Sequence, residues 1–391
     1  MLFRQVAWEL SRCALIQCSP LLLARTLTFG PGFCGFLQLE PEFARYMEIL
    51  RIGFIGAGGN TRLRHIPGFM KCEGVEPVVL CNRSMESSQK VAEEFGVPRV
   101  AGDWREIVQD PRVDAVCIGT WPNTHAEMTV AALEAGKHVL CEARMSASLE
   151  EAESMLEASR LHPGLVAQIV PSPLSLDLDA RVTTLLGEGV VGNLLEVIVT
   201  HTFAEYQDAL SPLPWRLDRR LSGVNALTLG ILHEMVQRWI PGNPNVLHAV
   251  AGIHTPERLD EASGSMVKVG LPESLNIVAR FPSGPRLIYH LSGIDAGPPL
   301  LDVRLNGSGG TLHVNLPQKV LTLYRPGSEQ GEIVEVPCAE KRGWRVEEDF
   351  ISSIRTGAPV TLTDFKTGVR YMRFSQVVDD MWRHERKKHG D

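Results

Sequence analysis

The chain has 391 residues, of which 44% are hydrophobic and 22% charged, and its formal net charge is -7. This length and apolar fraction support two packed cores of ordinary domain size. The negative charge argues against nucleic-acid or anionic-membrane binding, because both require a basic face. Eight cysteines are scattered without zinc-ligand spacing, so we expect free thiols, a cytoplasmic location and no metal site.

The first 46 residues contain an apolar stretch, Cys13 to Ala24, with arginines on both sides. Gln17 and Pro20 interrupt this stretch, so it is too short and too broken to span a membrane. Met47 is followed almost at once by a strand and is a candidate natural start. We predict that residues 1–46 are a non-native or disordered extension, with a targeting segment as the alternative.

The run Ile52 to Ile55 is followed by a glycine-rich turn and by the spacing of an amphipathic helix, Asn60 to Lys71. Pro67 and Gly68 should end or bend that helix early. Val75 to Cys81 then supplies the next strand of a βαβ unit, so the turn is predicted to hold the pyrophosphate of a dinucleotide. An ordinary glycine turn of another α/β protein is the alternative. The predicted cofactor contacts are Gly56, Gly58, Gly59, Asn60 and Thr61, the last in place of a third glycine.

Three polar residues follow the second strand, and none of them is acidic: Asn82, Arg83 and Ser84. An acidic residue at this tip binds the adenosine ribose hydroxyls and repels a 2′-phosphate. Arg83 can instead pair with the phosphate, and Ser84 can donate a hydrogen bond. We therefore predict NADP as the preferred cofactor, with NAD as the alternative. The same residues could also be a simple helix cap beside an exposed arginine.

Helices and buried strands then alternate as far as Val170, which predicts a doubly wound parallel sheet and an NAD(P)-binding Rossmann domain at residues 47–170. Ligands bind beyond the carboxyl ends of such strands, so their tips should converge on one crevice. The predicted elements are helices at Ser84 to Phe95, Trp104 to Val108, a stretch ending at Ala135, and Leu149 to Arg160, and strands at Val113 to Thr120, His138 to Glu142 and Leu165 to Val170.

From about Pro171 the pattern changes to consecutive strands joined by short turns, which predicts an α+β domain at residues 171–391 with an open, largely antiparallel sheet. Self-association into a homodimer or homotetramer is the simplest cover for the open face. The predicted helices are Asp179 to Glu188, Ala226 to Ile240, Trp344 to Arg355 and Phe365 to Arg386. The predicted strands are Leu194 to Phe203, Val246 to Ile253, Ser265 to Val269, Leu275 to Phe281, Arg286 to Ser292, Leu300 to Asn306, Thr311 to Val314 and Val320 to Tyr324.

Five motifs in this order resemble the Gfo/Idh/MocA family, named for glucose-fructose oxidoreductase, inositol dehydrogenase and the rhizopine-catabolism proteins. They are GFIGAGGNTRLRHIP, GTWPNTH, AALEAGKHVLCE, GEGVVGNL and PWRLDRRLSG, and the resemblance covers nearly everything after Met47. The resemblance implies an N-terminal Rossmann domain and a C-terminal open sheet used in oligomerisation. It also implies NAD(P) and a sugar or polyol substrate that is oxidised or reduced.

The chain departs from the family at two catalytic motifs. The family's E-K-P is Glu142-Ala143-Arg144 here, so the lysine that lowers a hydroxyl pKa and orients the reacting carbon is absent. Arg144 could stabilise an alkoxide or bind a substrate carboxylate or phosphate, or it could simply be ion-paired. The family's D-x-G-x-H histidine aligns with His233 in one register only, and a partly buried histidine on an apolar helix is the alternative.

The resemblance implies further site residues. At the cofactor it implies contacts from Thr120, Pro122, Asn123, His125 and Glu142, of which Asn123 and His125 match a segment that lines the nicotinamide in relatives. At the substrate it implies Arg144, Gln168, Trp215, Arg216 and His233, with Asp218 and Tyr206 as weaker candidates. Trp215 could equally be wedged between the domains.

We predict an NAD(P)-dependent oxidoreductase that moves hydride to or from a sugar- or polyol-like substrate. The proton would be transferred by His233 or by water, while Arg144 and Glu142 supply charge and orientation. Loss of the usual lysine keeps two other classes open. One is an NAD(P)-binding sensor or redox-silent subunit without turnover. The other is a lyase or hydrolase in which a retained cofactor is oxidised and reduced again.

Overall fold

The structure is a computed structural model, and it describes residues 48–388 of the chain. The predicted extension at residues 1–46 and the candidate start at Met47 lie outside the described residues. In the described part, no helix has both the length and the apolar character needed to cross a membrane.

Five parallel strands form the first sheet, and this confirms the predicted doubly wound fold. The strands are β1 (Leu50–Ile55), β2 (Val75–Cys81), β3 (Ala115–Ile118), β4 (His138–Cys141) and β5 (Ala167–Ile169). Their order is β2-β1-β3-β4-β5. The chain therefore reverses its direction of winding between β1 and β3, which is where ligands bind in open parallel sheets.

Helices connect these strands, and they lie close to the predicted positions. They are α1 (Ile66–Lys71), α2 (Met85–Phe95), α3 (Trp104–Gln109), α4 (Pro122–Glu134) and α5 (Leu149–Leu161). Of the two expectations for Pro67 and Gly68, that they end or that they bend the first helix, the first is wrong, because α1 continues to Lys71 after a π-helical segment at Thr61–His65. Pro67 lies in the first turn of α1, where its missing N–H is not needed.

The second sheet has eight strands in the order β15-β14-β13-β12-β6-β11-β10-β7, and all neighbours are antiparallel except β6 and β11. The mostly antiparallel α+β arrangement is confirmed. Two short strands, β8 and β15, were not predicted, because neither contains more than two consecutive apolar residues. The strands after β5 are β6 (Leu194–Thr202), β7 (Asn245–Gly252), β8 (Glu257–Asp260), β9 (Ser265–Lys268), β10 (Ser274–Arg280), β11 (Arg286–Ser292), β12 (Leu300–Gly307), β13 (Gly310–Asn315), β14 (Val320–Tyr324) and β15 (Glu332–Val334).

The later helices are α6 (Asp179–Gly187), α7 (Arg219–Ser222), α8 (Leu229–Trp239), α9 (Val346–Thr356) and α10 (Phe365–Lys388). The helix predicted from Ala226 begins only at Leu229. The reason is Leu227, whose φ of 48° lies in the left-handed region and cannot belong to a right-handed helix.

One face of the second sheet is buried and the other is open. Along β10 the side chains of Leu275, Ile277 and Ala279 are buried, whereas Asn276 and Val278 are exposed. The buried face packs with apolar residues of α6, α8 and α10 in one core cluster. The open face is the surface for which the sequence predicted a covering partner.

The last two helices also complete the core of the first sheet. Phe350 of α9 packs in one cluster with Ile52 and Phe54 of β1. Tyr371 and Met372 of α10 belong to the cluster on the other side of the sheet. Residues near the end of the chain therefore reach the region of the predicted cofactor site.

Candidate functional site

The glycine turn after β1 presses against the carboxyl end of β3. Gly56 has a φ of 84°, and a Cβ atom there would lie 2.7 Å from the Thr120 backbone nitrogen, so only glycine fits without strain. Thr61 replaces the third glycine of the fingerprint, and its hydroxyl donates a hydrogen bond of 3.1 Å to the Gly56 carbonyl. The threonine thus adds a side-chain hydrogen bond that closes the turn.

A cavity of about 560 Å³ lies at the ends of β1, β2 and β3. Six of the predicted cofactor residues line it, namely Gly56, Gly58, Asn82, Arg83, Ser84 and Thr120. Sequence reasoning missed the nine other lining residues, Ile55, Ala57, Cys81, Ser87, Trp104, Gly119, Trp121, Thr124 and Met128. Trp104 and Trp121 offer aromatic faces, and the W in the GTWPNTH motif was the available signal.

The backbone of the turn leaves room beside two of its glycines. A Cβ atom on Gly58 would meet only the Gly119 carbonyl oxygen, at 3.8 Å, and one on Gly59 would meet nothing within 4 Å. Gly58 lines the cavity, whereas Gly59 is exposed and is not among the lining residues. The turn therefore fits a pyrophosphate that approaches the main chain at Gly58.

The tip of β2 is fixed to the glycine turn by Asn82. Its Oδ1 accepts a hydrogen bond of 2.6 Å from the Ala57 N–H, and its Nδ2 donates one of 3.0 Å to the Ser87 hydroxyl. Ser84 caps α2 by accepting from the Ser87 N–H at 3.2 Å. The helix-cap interpretation is thus confirmed for Ser84, while Arg83 places its guanidinium 4.4 Å from the centre of the Trp121 ring.

Glu142 belongs to a buried charge cluster rather than to the lining of the cavity. His65 places Nε2 2.8 Å from Glu142 Oε1 and Nδ1 2.5 Å from Glu347 Oε1. Asn60 donates to the same Glu142 oxygen, and the Trp344 indole donates to Glu347 at 2.8 Å. We call His65, Glu142 and Glu347 the carboxylate-histidine cluster.

This cluster holds a positive imidazolium between two carboxylates. Burial lowers the pKa of His65, but the hydrogen bonds and charges of Glu142 and Glu347 outweigh it and raise the pKa to about 9. Burial likewise raises the pKa of Glu142, yet His65 and Asn60 lower it on balance. Because His65 ends the π-helical segment Thr61–His65 and Glu142 directly follows β4, the cluster ties these two elements together.

We predict that the cluster makes stability depend on pH. The pKa of His65 is higher in the folded protein than in the unfolded chain, so its contribution is complete below about pH 6.5 and disappears as the pH rises through about 9. That contribution is on the order of 3 kcal/mol. Urea unfolding at pH 6.5, 7.5 and 8.5 should show a falling free energy of unfolding.

The matched variant is His65→Gln, which retains a hydrogen-bonding side chain but does not titrate. It should be less stable overall and should have a shallower slope between pH 6.5 and 8.5. Equal slopes for the two proteins would show that His65 is not the titrating group.

Arg144 directly follows Ala143. Its side chain lies beside Trp215, a residue of the C-terminal part of the chain. It is 3% exposed, and its guanidinium carbon lies 5.9 Å from the centre of the Trp215 ring. Arg216 lies 4.4 Å from the same ring centre, and Trp215 stacks on Trp121 at 6.5 Å. The structure thus brings Arg144, Trp215 and Arg216 together next to the residues that line the cavity. Trp215 also packs against Trp121 of the first part of the chain, as expected for a tryptophan wedged between the two domains.

The segment after β3 is placed differently from the expectation. His125 is fully buried, and its nitrogens lie 3.0 Å from the Arg144 carbonyl and 3.1 Å from the Thr120 carbonyl. It therefore joins the tips of β3 and β4 and does not line the cavity, and burial lowers its pKa. Pro122 is buried at the start of α4 and Asn123 is exposed, and neither lines the cavity.

His233 lies in the core of the second part and not with the other candidates. It is fully buried, its ring stacks on Phe374 at 3.7 Å, and its Nδ1 lies 2.9 Å from the Tyr289 hydroxyl. Burial, and then the charge of Arg370, lowers the pKa of His233 to about 3. This position corrects the proposed acid/base role and favours the alternative of a buried histidine on an apolar helix.

Three further candidates are separate from the cavity. Gln168 is buried within β5 and lines a different, very small cavity with Pro171 and Arg342. Asp218 caps α7 by accepting from the Arg220 N–H at 2.9 Å, so its role is structural. Tyr206 is 2% exposed, and burial raises its pKa to about 12.

Comparison with known proteins supports this interpretation of the fold. Residues 50–167 match the sequence model of the GFO/IDH/MocA oxidoreductase family, which has an NAD-binding Rossmann fold. Residues 180–313 match the sequence model of the GFO/IDH/MocA C-terminal domain. Levoglucosan dehydrogenase in complex with NADH has a similar structure, with a TM-score of 0.75, 21% identity, and coverage of 86% of this chain and 97% of that one.

Two curated relatives are more similar in sequence. Levoglucosan dehydrogenase of Pseudarthrobacter phenanthrenivorans is 29% identical over 227 residues, which are 56% of this chain and 58% of the relative. The 1,5-anhydro-D-fructose reductase of Ensifer adhaerens is 31% identical over 242 residues, 61% of this chain and 68% of the relative. The matched region thus spans little more than half of the first relative.

Proposed function

Since the chain belongs to the Gfo/Idh/MocA family of oxidoreductases with an NAD-binding Rossmann fold, we propose that it transfers hydride between NAD(P) and a sugar- or polyol-like substrate. The named relatives act, by their names, on levoglucosan and 1,5-anhydro-D-fructose, which supports a carbohydrate-like substrate. The proposal includes a nucleotide-binding domain at residues 47–170 and a substrate domain at residues 171–391.

The observation that carries the proposal is the cavity at the switch point between β1 and β3. Gly58 lines this cavity without a side chain, and Arg83 and Trp121 line it in contact with each other. Trp215 stacks on Trp121 and so brings the second part of the chain to the edge of the cavity. A bound nicotinamide would supply or accept the hydride. The chain's own residues bind and orient the reactants, and the carboxylate-histidine cluster fixes the loop that carries Ala143.

The experiment is a fluorescence titration of the full chain with NADPH and NADH, followed by a turnover assay with neutral and acidic sugars and polyols. Cofactor binding with oxidation or reduction of a sugar supports the proposal. If the protein binds neither NADPH nor NADH, the proposal is contradicted at its first step. Elimination or hydrolysis products without net change of cofactor would favour the lyase or hydrolase class instead.

We propose NADP as the preferred cofactor. None of the residues that line the cavity is acidic, and Arg83 is the basic one among them, so a 2′-phosphate meets attraction and no carboxylate. We expect Arg83→Asp to lower the affinity for NADPH by about 10-fold or more relative to NADH, which is about 1.4 kcal/mol. Titration with both nucleotides measures this ratio.

Arg83→Met is the control for this prediction, because it keeps an apolar contact with Trp121 without either charge. It should give a smaller loss of NADPH preference than Arg83→Asp. An unchanged NADPH-to-NADH affinity ratio in both variants would remove Arg83 from the nucleotide site.

A second candidate function is cofactor binding without turnover, as in a sensor or a redox-silent subunit. The observation that favours it is the lack of both usual proton-transfer groups. Ala143 has no polar side chain, and His233 is buried in the core with a lowered pKa. Tight NADPH binding without turnover of any sugar or polyol in the assay above would support this alternative.

We also propose a homodimer or homotetramer formed through the open face of the second sheet, and a reducing, cytoplasmic environment. The register places Val250, Asn276 and His290 in one row of that face, and His248, Val278 and Ile288 in the next. Val250 and Val278 are 44% and 37% exposed. Light scattering should show a multiple of the chain mass, and Val278→Arg should reduce it. A monomeric wild type would contradict the proposal.

A further inference from the structure

Arg144 is a buried cation with no partner of its own in the part of the chain that the structure describes. Its Nε and Nη2 atoms are both buried and donate to no hydrogen-bond acceptor, and the residue is only 3% exposed. Burying an unpaired charge costs several kcal/mol in general. A buried donor without a partner therefore requires an explanation.

Arg258, another buried arginine, has partners for both of its terminal nitrogens, and only its Nε lacks one. Its Nη2 lies 2.8 Å from Glu273 Oε1, and further donors reach the carbonyls of Tyr206, Asp208 and Ser211. Both arginines are almost fully buried, at 3% and 1% exposure. Arg144 therefore differs in partners and not in burial.

The surroundings of Arg144 make the unpaired charge more costly. Arg216 lies over the same indole ring, Trp215, and its positive charge adds to the effect of burial, so that the pKa of Arg144 falls to about 10. Arg144 is still protonated at neutral pH. Two cations on one aromatic ring without a carboxylate are a site that an anion would complete.

The fold also prepares the position of this side chain. A Cβ atom on Gly230 of α8 would lie 2.9 Å from Arg144 Cδ, so glycine is needed there to accommodate the arginine stem. The Arg144 carbonyl is held by His125, and the next N–H, from Met145, donates to the Tyr371 hydroxyl at 2.6 Å. The arginine is therefore placed from both parts of the chain.

We propose that Arg144, with Arg216, binds an anionic group on the substrate, so that the substrate is an acidic sugar derivative carrying a carboxylate or a phosphate. This inference rests on the proposed function, because it names the substrate class for the same site. Arg144 lies at Trp215, which stacks on Trp121 in the cavity lining. The anion therefore binds next to the nucleotide, and Trp215 offers an apolar face to the sugar ring.

The experiment uses the full chain saturated with NADPH and compares glucose with glucuronate and glucose 6-phosphate. We measure the affinity of each by calorimetry and the ligand-induced rise in melting temperature. We expect at least one acidic sugar to bind about 10-fold or more tightly than glucose, equivalent to about 1.4 kcal/mol. The two acidic sugars distinguish a carboxylate from a phosphate.

Arg144→Met and Arg216→Met should each reduce the preference for the acidic sugar, whereas Arg144→Lys should partly restore it by keeping the charge. Arg160→Met, at an exposed arginine of α5, is the control and should change nothing. Arg216 is exposed, so its variant tests the proposal even if Arg144→Met does not fold.

Equal binding of neutral and acidic sugars, or acidic-sugar binding that survives both substitutions, would overturn the inference. Binding of none of the three sugars to the NADPH complex would overturn it as well. NADPH affinity is measured in the same samples, because a wild-type protein that does not bind NADPH would contradict the proposed function itself. Tight NADPH binding with a preference for glucose would contradict only the acidic substrate.

Discussion

Gly58→Val is expected to weaken NADPH and NADH binding by about 100-fold or more, with little effect on the fold. Gly58 lines the cavity, and a Cβ there meets only one protein atom within 4 Å, the Gly119 oxygen at 3.8 Å. The valine side chain therefore has room in the protein but occupies the space through which a pyrophosphate approaches the backbone. A 100-fold loss corresponds to about 2.7 kcal/mol.

Two neighbouring glycines serve as controls for this result. Gly59→Ala adds a methyl group where nothing lies within 4 Å, and it should bind both nucleotides almost normally. Gly56→Ala should instead destabilise the protein, because its φ is 84° and Thr120 is in the way. If Gly58→Val folds and binds NADPH as tightly as the wild type, the glycine turn is not the pyrophosphate site.

Arg258→Met is expected to lower the free energy of unfolding by about 3–5 kcal/mol, because it leaves a buried carboxylate without its partner. Arg258 and Glu273 are 1% and 0% exposed. The same arginine donates to the carbonyls of Tyr206, Asp208 and Ser211, and all three would lose a donor. Urea unfolding at pH 7 measures the loss.

Arg373→Met is the matched control for this variant, since Arg373 pairs with Glu153 at 2.7 Å on the surface, where the two side chains are 58% and 50% exposed. A surface pair of this kind contributes about 0–1 kcal/mol. Similar losses for the two variants would mean that burial does not decide the strength of these pairs. Arg258→Met should also weaken sugar binding more than cofactor binding, because it loosens the loop that leads to Trp215.

The parts of the site that could be predicted from the sequence are those set by local chain geometry. Parallel strands bring their carboxyl ends together, so residues directly after β1, β2 and β3 had to be neighbours. Gly56, Gly58, Asn82, Arg83 and Thr120 follow from this rule, and all of them line the cavity. The two sheets could also be predicted from local sequence, because their strands appear as apolar runs and the strands of the second sheet are joined by short turns.

The parts that could not be predicted depend on contacts between distant segments. Glu347 lies 282 residues after His65, and Tyr371 lies 226 residues after Met145, so no local pattern connects them. His233 was uncertain for a related reason. Its helix is largely apolar and mostly buried, and only the packing of Phe374 and Tyr289 around the imidazole decides that this histidine belongs to the core.

The completion of the first sheet by α9 and α10 has a consequence for the order in which the protein is made. Phe350 and Met372 enter the cores around β1 and β4, yet the ribosome adds them long after the strands that they cover. The nucleotide-binding part is therefore expected to keep apolar surface uncovered until α9 and α10 have been synthesised. Chains ending at residue 330 should accordingly bind a hydrophobic dye and be captured by chaperones, whereas a compact, dye-free fragment would contradict this order of assembly.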